Sequence, residues 1–232
     1  MKLLNHLPNA LTLANLFFGT TAIILLINGL IPFALILMGG ALVADVLDGA
    51  IARKLGLNSD LGVQLDSLAD LVTFGVVPAV MIYAAYSLYG HDRPGEIIIT
   101  LMAALSTVSA GLRLARFNVD ERPREYFWGL ATPAGGMLVA GWLWAQFVGK
   151  DHGLGMEISP WMGVVIPVFL IIFYQVSLRL PSMKSPKPGI ITAVLLVAAG
   201  TVSFFIIGPI SISLTIFGYV FIGLLNTIFR WY

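Results

Sequence analysis

Four aspartates carry the clearest chemical signal in this sequence. Asp45 and Asp48 stand three residues apart, and Asp66 and Asp70 four apart, so in helices each pair shares one face, about one turn apart. Both pairs sit in otherwise apolar stretches, where an ionised carboxylate costs several kcal/mol at membrane depth. A bound cation would compensate that cost. The link between the pairs, Lys54 to Asp60 (KLGLNSD), is short and turn-like, which makes the two helices antiparallel neighbours and turns the pairs toward each other. Hard oxygen donors suit Mg²⁺ or Mn²⁺ better than zinc, since the chain has no Cys and its histidines, His6, His91 and His152, fall outside the cluster. Four carboxylates could hold two divalent cations about 4 Å apart, the arrangement that clamps attacking and leaving oxygens in phosphoryl transfer. Gly49, Ala52 and Gly62 flank the acidic face with little bulk, leaving room for a nucleotide or pyrophosphate, and Arg53 offers a cation to a phosphate. The same spacing fits the ion site of a cation-coupled transporter, or carboxylates paired structurally with Arg113 and Arg116.

These residues must be held by membrane helices. The chain has 232 residues, of which 58% are hydrophobic and only 11% charged, so lipid is the expected solvent for most of its surface. Spans of about 20 apolar residues fall near 8–28, 31–53, 61–89, 97–117, 130–148, 160–178, 189–207 and 209–229. The expected fold is therefore all-α, a polytopic transmembrane bundle of about eight helices, with six or seven as alternatives, forming one catalytic domain over residues 1–232. Only Gly208 and Pro209 separate the last two spans, which fits a tight hairpin or one kinked element. The first apolar run reads as a retained helix, being longer than a signal-peptide core and lacking a small-residue cleavage site. With the N-terminus in the cytoplasm, Lys2, Arg53, Lys54, Arg113, Arg116, Arg122, Arg124, Arg179, Lys184, Lys187 and Arg230 fall inside. Only Arg93 and Lys150 fall outside. This bias predicts a multi-pass cell-membrane protein of prokaryotic type with the aspartates facing the cytoplasm. Nucleic acid is not an expected partner.

The stretch from Asp45 to Asp70 resembles the signature of the CDP-alcohol phosphotransferases, D-x2-D-G-x2-A-R-x8-G-x3-D-x3-D, at every fixed position. The resemblance implies that Asp45, Asp48 and Asp66 hold two divalent cations, and that Asp70 completes the site as the candidate general base. It also implies that Gly49, Ala52, Arg53 and Gly62, with Thr12 of the first span, lie around the CDP moiety. The implied reaction is attack by an alcohol on the lipid-bearing phosphorus, with CMP leaving. Segments around Pro8-Asn9-Ala-Leu-Thr12, Asp66–Pro78, Arg113-Leu-Ala-Arg116-Phe-Asn118 and Phe127–Ala134 are similar to those of the serine branch, the phosphatidylserine synthases. That likeness implies CDP-diacylglycerol and L-serine as substrates in a membrane lipid environment, and a homodimer. Glycerol 3-phosphate and inositol phosphate are the alternative acceptors. Serine needs a cation for its carboxylate. Arg113 and Arg116, at the cytoplasmic end of the fourth span, and Asn118 just beyond are expected to bind that carboxylate or the lipid phosphate. Lys184, Lys187 and the charged loop 118–128 read as interfacial segments that could touch head groups or cover the site.

Overall fold

The computed structural model describes residues 6–57, 59–87, 95–120, 127–151, 161–180 and 187–229. Helices α1 (Leu7–Ile27) and α2 (Ile31–Leu55) form a hairpin. Then α3 (Asp60–Asp70), a π turn (Leu71–Val76) and α4 (Val77–Ser87) run on as one rod. They are followed by α5 (Glu96–Asn118), α6 (Thr132–Asp151), α7 (Met162–Gln175), α8 (Lys187–Ile207) and α9 (Ile210–Phe229). A two-residue antiparallel pair joins β1 (Phe127–Trp128) to β2 (Arg179–Leu180). The eight spans expected from the sequence correspond one to one to these rods. Among the described residues, six are long and apolar enough to cross a membrane; α7 is shorter, and the hydropathy of α6 is diluted by its Gly, Thr and Gln residues.

Local chemistry sets the boundaries. Pro8 and Pro32 open α1 and α2, where a missing N–H goes unnoticed. Gly56 ends α2 in the left-handed conformation (φ 65°), and the Leu57 N–H reaches back to the Ala52 carbonyl at 2.9 Å. Ser59 then starts α3 by accepting the Gly62 N–H at 3.1 Å. The chain thus reverses within a few residues, bringing the two signature halves together. Beyond Gly208, α9 returns along α8, so the last two spans form a hairpin; Gly200 lies directly against Thr215.

The core runs along α4, α6 and the facing sides of α1, α2 and α7, through Ala22, Met38, Phe74, Met81, Ile82, Leu138, Leu143 and Leu170. Outward-facing residues are apolar too: Phe17, Phe33, Ile97 and Phe205 are exposed, as side chains bathed by lipid are. The π turn is held from two sides. Thr73 donates to the Asn15 carbonyl at 3.2 Å, with Gly19 leaving the room this needs, and Thr107 donates to the Gly75 carbonyl at 3.0 Å. By inserting this wider turn just after Asp70, the rod aims Asp70 at α1 while keeping Phe74 and Met81 in the core.

One end of the bundle collects the start of α1, the end of α2, the start of α3, the ends of α5 and α7, and the strand pair. Asn118 of α5 donates to Ser67 of α3 at 2.7 Å, and Arg116 donates to Gln175 of α7 at 2.6 Å. Arg53, Lys54, Arg113, Arg116 and Arg179 therefore share one end, as the charge alternation predicts. Lys2, Arg93, Arg122, Arg124, Lys184, Arg230, His91 and His152 lie outside the described residues.

Candidate active site

Helix α1 carries an unusual stripe for an apolar span. Pro8, Thr12, Asn15 and Gly19 recur at spacings of three and four, and all are buried against the aspartate-bearing helices. Thr12 Oγ1 lies 2.6 Å from Asp48 Oδ2, and Asn15 Nδ2 donates to Asp70 Oδ1 at 3.4 Å. Two neighbouring turns of α1 thus hold one carboxylate from α2 and one from α3. Asp45 is in turn within hydrogen-bonding reach of Asp70.

Asp45, Asp48 and Asp66 each present a carboxylate oxygen within 4.8 Å of the others. At an effective dielectric of about 20, each such pair repels by at least about 3.5 kcal/mol when both members are ionised. The neutral Thr12 hydroxyl cannot offset that, whereas a divalent cation would. The donors are all hard oxygens, and their convergence from two antiparallel helices fits Mg²⁺ or Mn²⁺. Asp70 stands beside this trio rather than within it, buried between Asn15 and Asp45.

Next to the acidic trio is an open cleft lined by Pro8, Asn9, Thr12, Asp48, Gly49, Ala52, Leu57, Ser59, Gly62, Val63 and Asp66. Thr12, Gly49, Ala52 and Gly62, expected from the resemblance around the nucleotide, all line it. Arg53 is exposed and does not line the cleft, but its guanidinium passes over Gly49: a Cβ there would stand 3.2 Å from Nη1. At Gly62 a Cβ would stand 3.1 Å from Ser59 Oγ and 3.2 Å from Asn9 Oδ1, so bulk there would invade the cleft wall. Asn9, Ser59 and the Thr12–Asp48 contact were not anticipated as site features. The periodic polar stripe on α1 was the visible signal for the Thr12–Asp48 contact.

The three residues expected around the acceptor separate. Arg113 is buried, donates Nη1 to Thr132 at 3.4 Å, and lies within electrostatic reach of Asp70. Arg116 and Asn118 are exposed and bound to Gln175 and Ser67. Arg113 and Arg116 direct hydrogen bonds to Thr132 and Gln175, while Asp70 lies within electrostatic reach of Arg113.

Residues 5–176 match the family model described as CDP-alcohol phosphatidyltransferase. Among curated proteins, the chain is 36% identical over 165 residues to a CDP-diacylglycerol–serine O-phosphatidyltransferase of Mycobacterium leprae, covering 68% of this chain and 52% of that protein. It is 37% identical over 135 residues to the protein of the same name from Bacillus subtilis, covering 58% and 73%. An archaetidylserine synthase of Methanothermobacter thermautotrophicus is 36% identical over 136 residues, covering 58% and 56%. The chain thus spans about half the length of the Mycobacterium leprae relative and nearly three quarters of the Bacillus subtilis one.

Proposed function

We propose that this chain, which belongs to the CDP-alcohol phosphatidyltransferase family, transfers a phosphatidyl group from CDP-diacylglycerol to the hydroxyl of L-serine, giving phosphatidylserine and CMP. The observation that carries the reading is the junction of the acidic trio with the glycine-lined cleft. A nucleotide in the cleft would lay its pyrophosphate against Asp48 and Asp66, where bound cations would neutralise it. Serine as acceptor rests on the relatives: it is common to all three names, whereas the lipid part is not.

The roles divide by position. Asp45, Asp48 and Asp66 would hold the cations, with Asp70 completing a two-cation site; the cations would supply charge stabilisation at the pyrophosphate. Gly49, Ala52, Gly62 and Thr12 would border the CDP moiety, and Arg53 would reach a phosphate from the rim. Asp70 is the carboxylate placed to take the acceptor's proton, held by Asn15. Of the acceptor candidates, Arg113 has the better placement, because it is buried beside Asp70 while Arg116 and Asn118 are turned to other partners. The site would face the cytoplasm, on the strength of the basic residues gathered at its end of the bundle. The working assembly would be a homodimer.

The test is to give the purified protein CDP-diacylglycerol with L-serine, glycerol 3-phosphate or inositol phosphate separately, and to identify the lipid product by mass spectrometry. Phosphatidylserine is expected. Another phospholipid would keep the chemistry and change the acceptor. Cation-driven uptake in liposomes without CMP release would favour a transporter instead.

A further inference from the structure

Two buried polar groups on the α5–α7 side of Asp70 have no hydrogen-bond partner among the described residues: Arg113 Nε and the Tyr174 hydroxyl. Each is on a side chain more than nine-tenths buried, Arg113 at 8% and Tyr174 at 4% exposure. Leaving such donors unmatched is costly, so a protein that keeps them together calls for a reason. They converge on the start of α6, where Arg113 holds Thr132 and the Tyr174 hydroxyl packs against Gly135 one turn further along.

The surroundings hold this pair in place. Gly129, with φ 76°, lets the backbone pass close to the end of α7: its N–H donates to the Leu178 carbonyl and that of Leu130 to the Phe173 carbonyl, both at 3.0 Å. This docks the first residue of α6, Thr132, where its hydroxyl accepts from Arg113. Gly135, one turn along α6, is the only residue type that leaves space for the Tyr174 hydroxyl, which a Cβ there would overlap. Gln175 donates to the Ser109 hydroxyl and carbonyl at 2.8 Å, locking α7 to α5 one residue after Tyr174.

We propose that Arg113 and Tyr174 form a carboxylate-binding subsite for the amino-acid acceptor, separate from the nucleotide cleft and adjoining it through Asp70. A carboxylate would take the Tyr174 O–H and the Arg113 Nε–H, the two donors now unmatched, while Arg113 keeps Thr132. The lining of the nucleotide cleft includes neither residue, so one substrate can be bound without displacing the other. Since both groups are enclosed, the side chains part to admit the acceptor, and the hydrogen bonds then formed favour that opening. Tyr174 is thereby a specificity-determining residue that selects an acceptor bearing a carboxylate. The inference rests on serine being the acceptor.

The test is steady-state kinetics of the full-length protein and its Tyr174→Phe and Arg113→Lys variants, with L-serine and with serine amide, which lacks the carboxylate. Tyr174→Phe is expected to raise the KM for serine by about ten- to a hundredfold, the factor for losing a hydrogen bond to a charged group. The KM for serine amide, whose neutral carbonyl is a weaker acceptor, should rise much less, so that the preference for serine over the amide narrows. The melting temperature of Tyr174→Phe should hold or rise, because the deleted hydroxyl has no partner among the described residues. Arg113→Lys should likewise narrow the preference for serine over the amide. If the wild type uses serine but both variants keep its KM and that preference, the subsite is wrong and the function stands. If the wild type does not use serine, the proposed function and the subsite fall together.

Discussion

Thr12→Val replaces a hydroxyl by a methyl of nearly the same shape at a position where the oxygen lies 2.6 Å from Asp48 Oδ2 and 3.1 Å from the Pro8 carbonyl. The single hydroxyl proton can serve only one of these, and the shorter, charge-assisted contact should win. Thr12 is then the group that orients Asp48 within the acidic trio. Removing a partner that orients a metal ligand typically lowers metal affinity about 10- to 100-fold. The assay is twofold: the Mn²⁺ concentration that half-saturates CMP release, and the rise in melting temperature that Mn²⁺ produces without substrates. Both should move to higher Mn²⁺ by that factor in Thr12→Val, while Thr12→Ser should stay within about threefold of wild type. Unchanged Mn²⁺ dependence with a lowered melting temperature would refute the reasoning, because it would mean that the hydroxyl serves the Pro8 carbonyl and the stability of α1.

Other substitutions separate packing from chemistry. Gly62→Val should raise the KM for CDP-diacylglycerol by about tenfold or more with little change in melting temperature, since the new side chain enters the cleft between Ser59 and Asn9. Gly19→Ala should destabilise the fold by about 1–3 kcal/mol, measured by thermal denaturation in detergent, because its Cβ would collide with Thr73 where the π turn docks on α1. Arg116→Ala should change the KM for serine less than threefold, since its guanidinium is exposed and engaged with Gln175; a tenfold rise would return it to the acceptor site. The native chain has no cysteine, so Lys54→Cys provides a unique label. A membrane-impermeant maleimide should reach it in inside-out vesicles and not in intact cells; the opposite pattern would invert the proposed topology.

Much of the fold was legible because lipid imposes a simple rule, that a spanning segment is apolar for about 20 residues and meets its own backbone hydrogen bonds. The α2–α3 reversal was equally legible, since Gly56 and Ser59 are local stop and start signals. The π turn after Asp70 was not, because it depends on hydrogen bonds from Thr73 to α1 and from Thr107 on α5, which no local pattern encodes. The pairing of residues 127–128 with 179–180 was hidden for the same reason. In the site, Asp45, Asp48 and Asp66 converge as their spacing required. Arg113 and Arg116 look equivalent in sequence, yet three residues of helix turn them by about 60° relative to each other. That rotation is enough to bury one beside Asp70 and leave the other exposed.

Whether the acidic trio holds cations that drive phosphatidyl transfer is decided by CMP release from CDP-diacylglycerol and L-serine by wild type and Asp66→Asn, each titrated with Mn²⁺ from a chelated start. No release is expected without the cation, saturable release with it in the wild type, and none at any concentration in an Asp66→Asn protein that retains its fold. Release from chelated wild type, or an Asp66→Asn variant as active as wild type, would contradict that role for the trio.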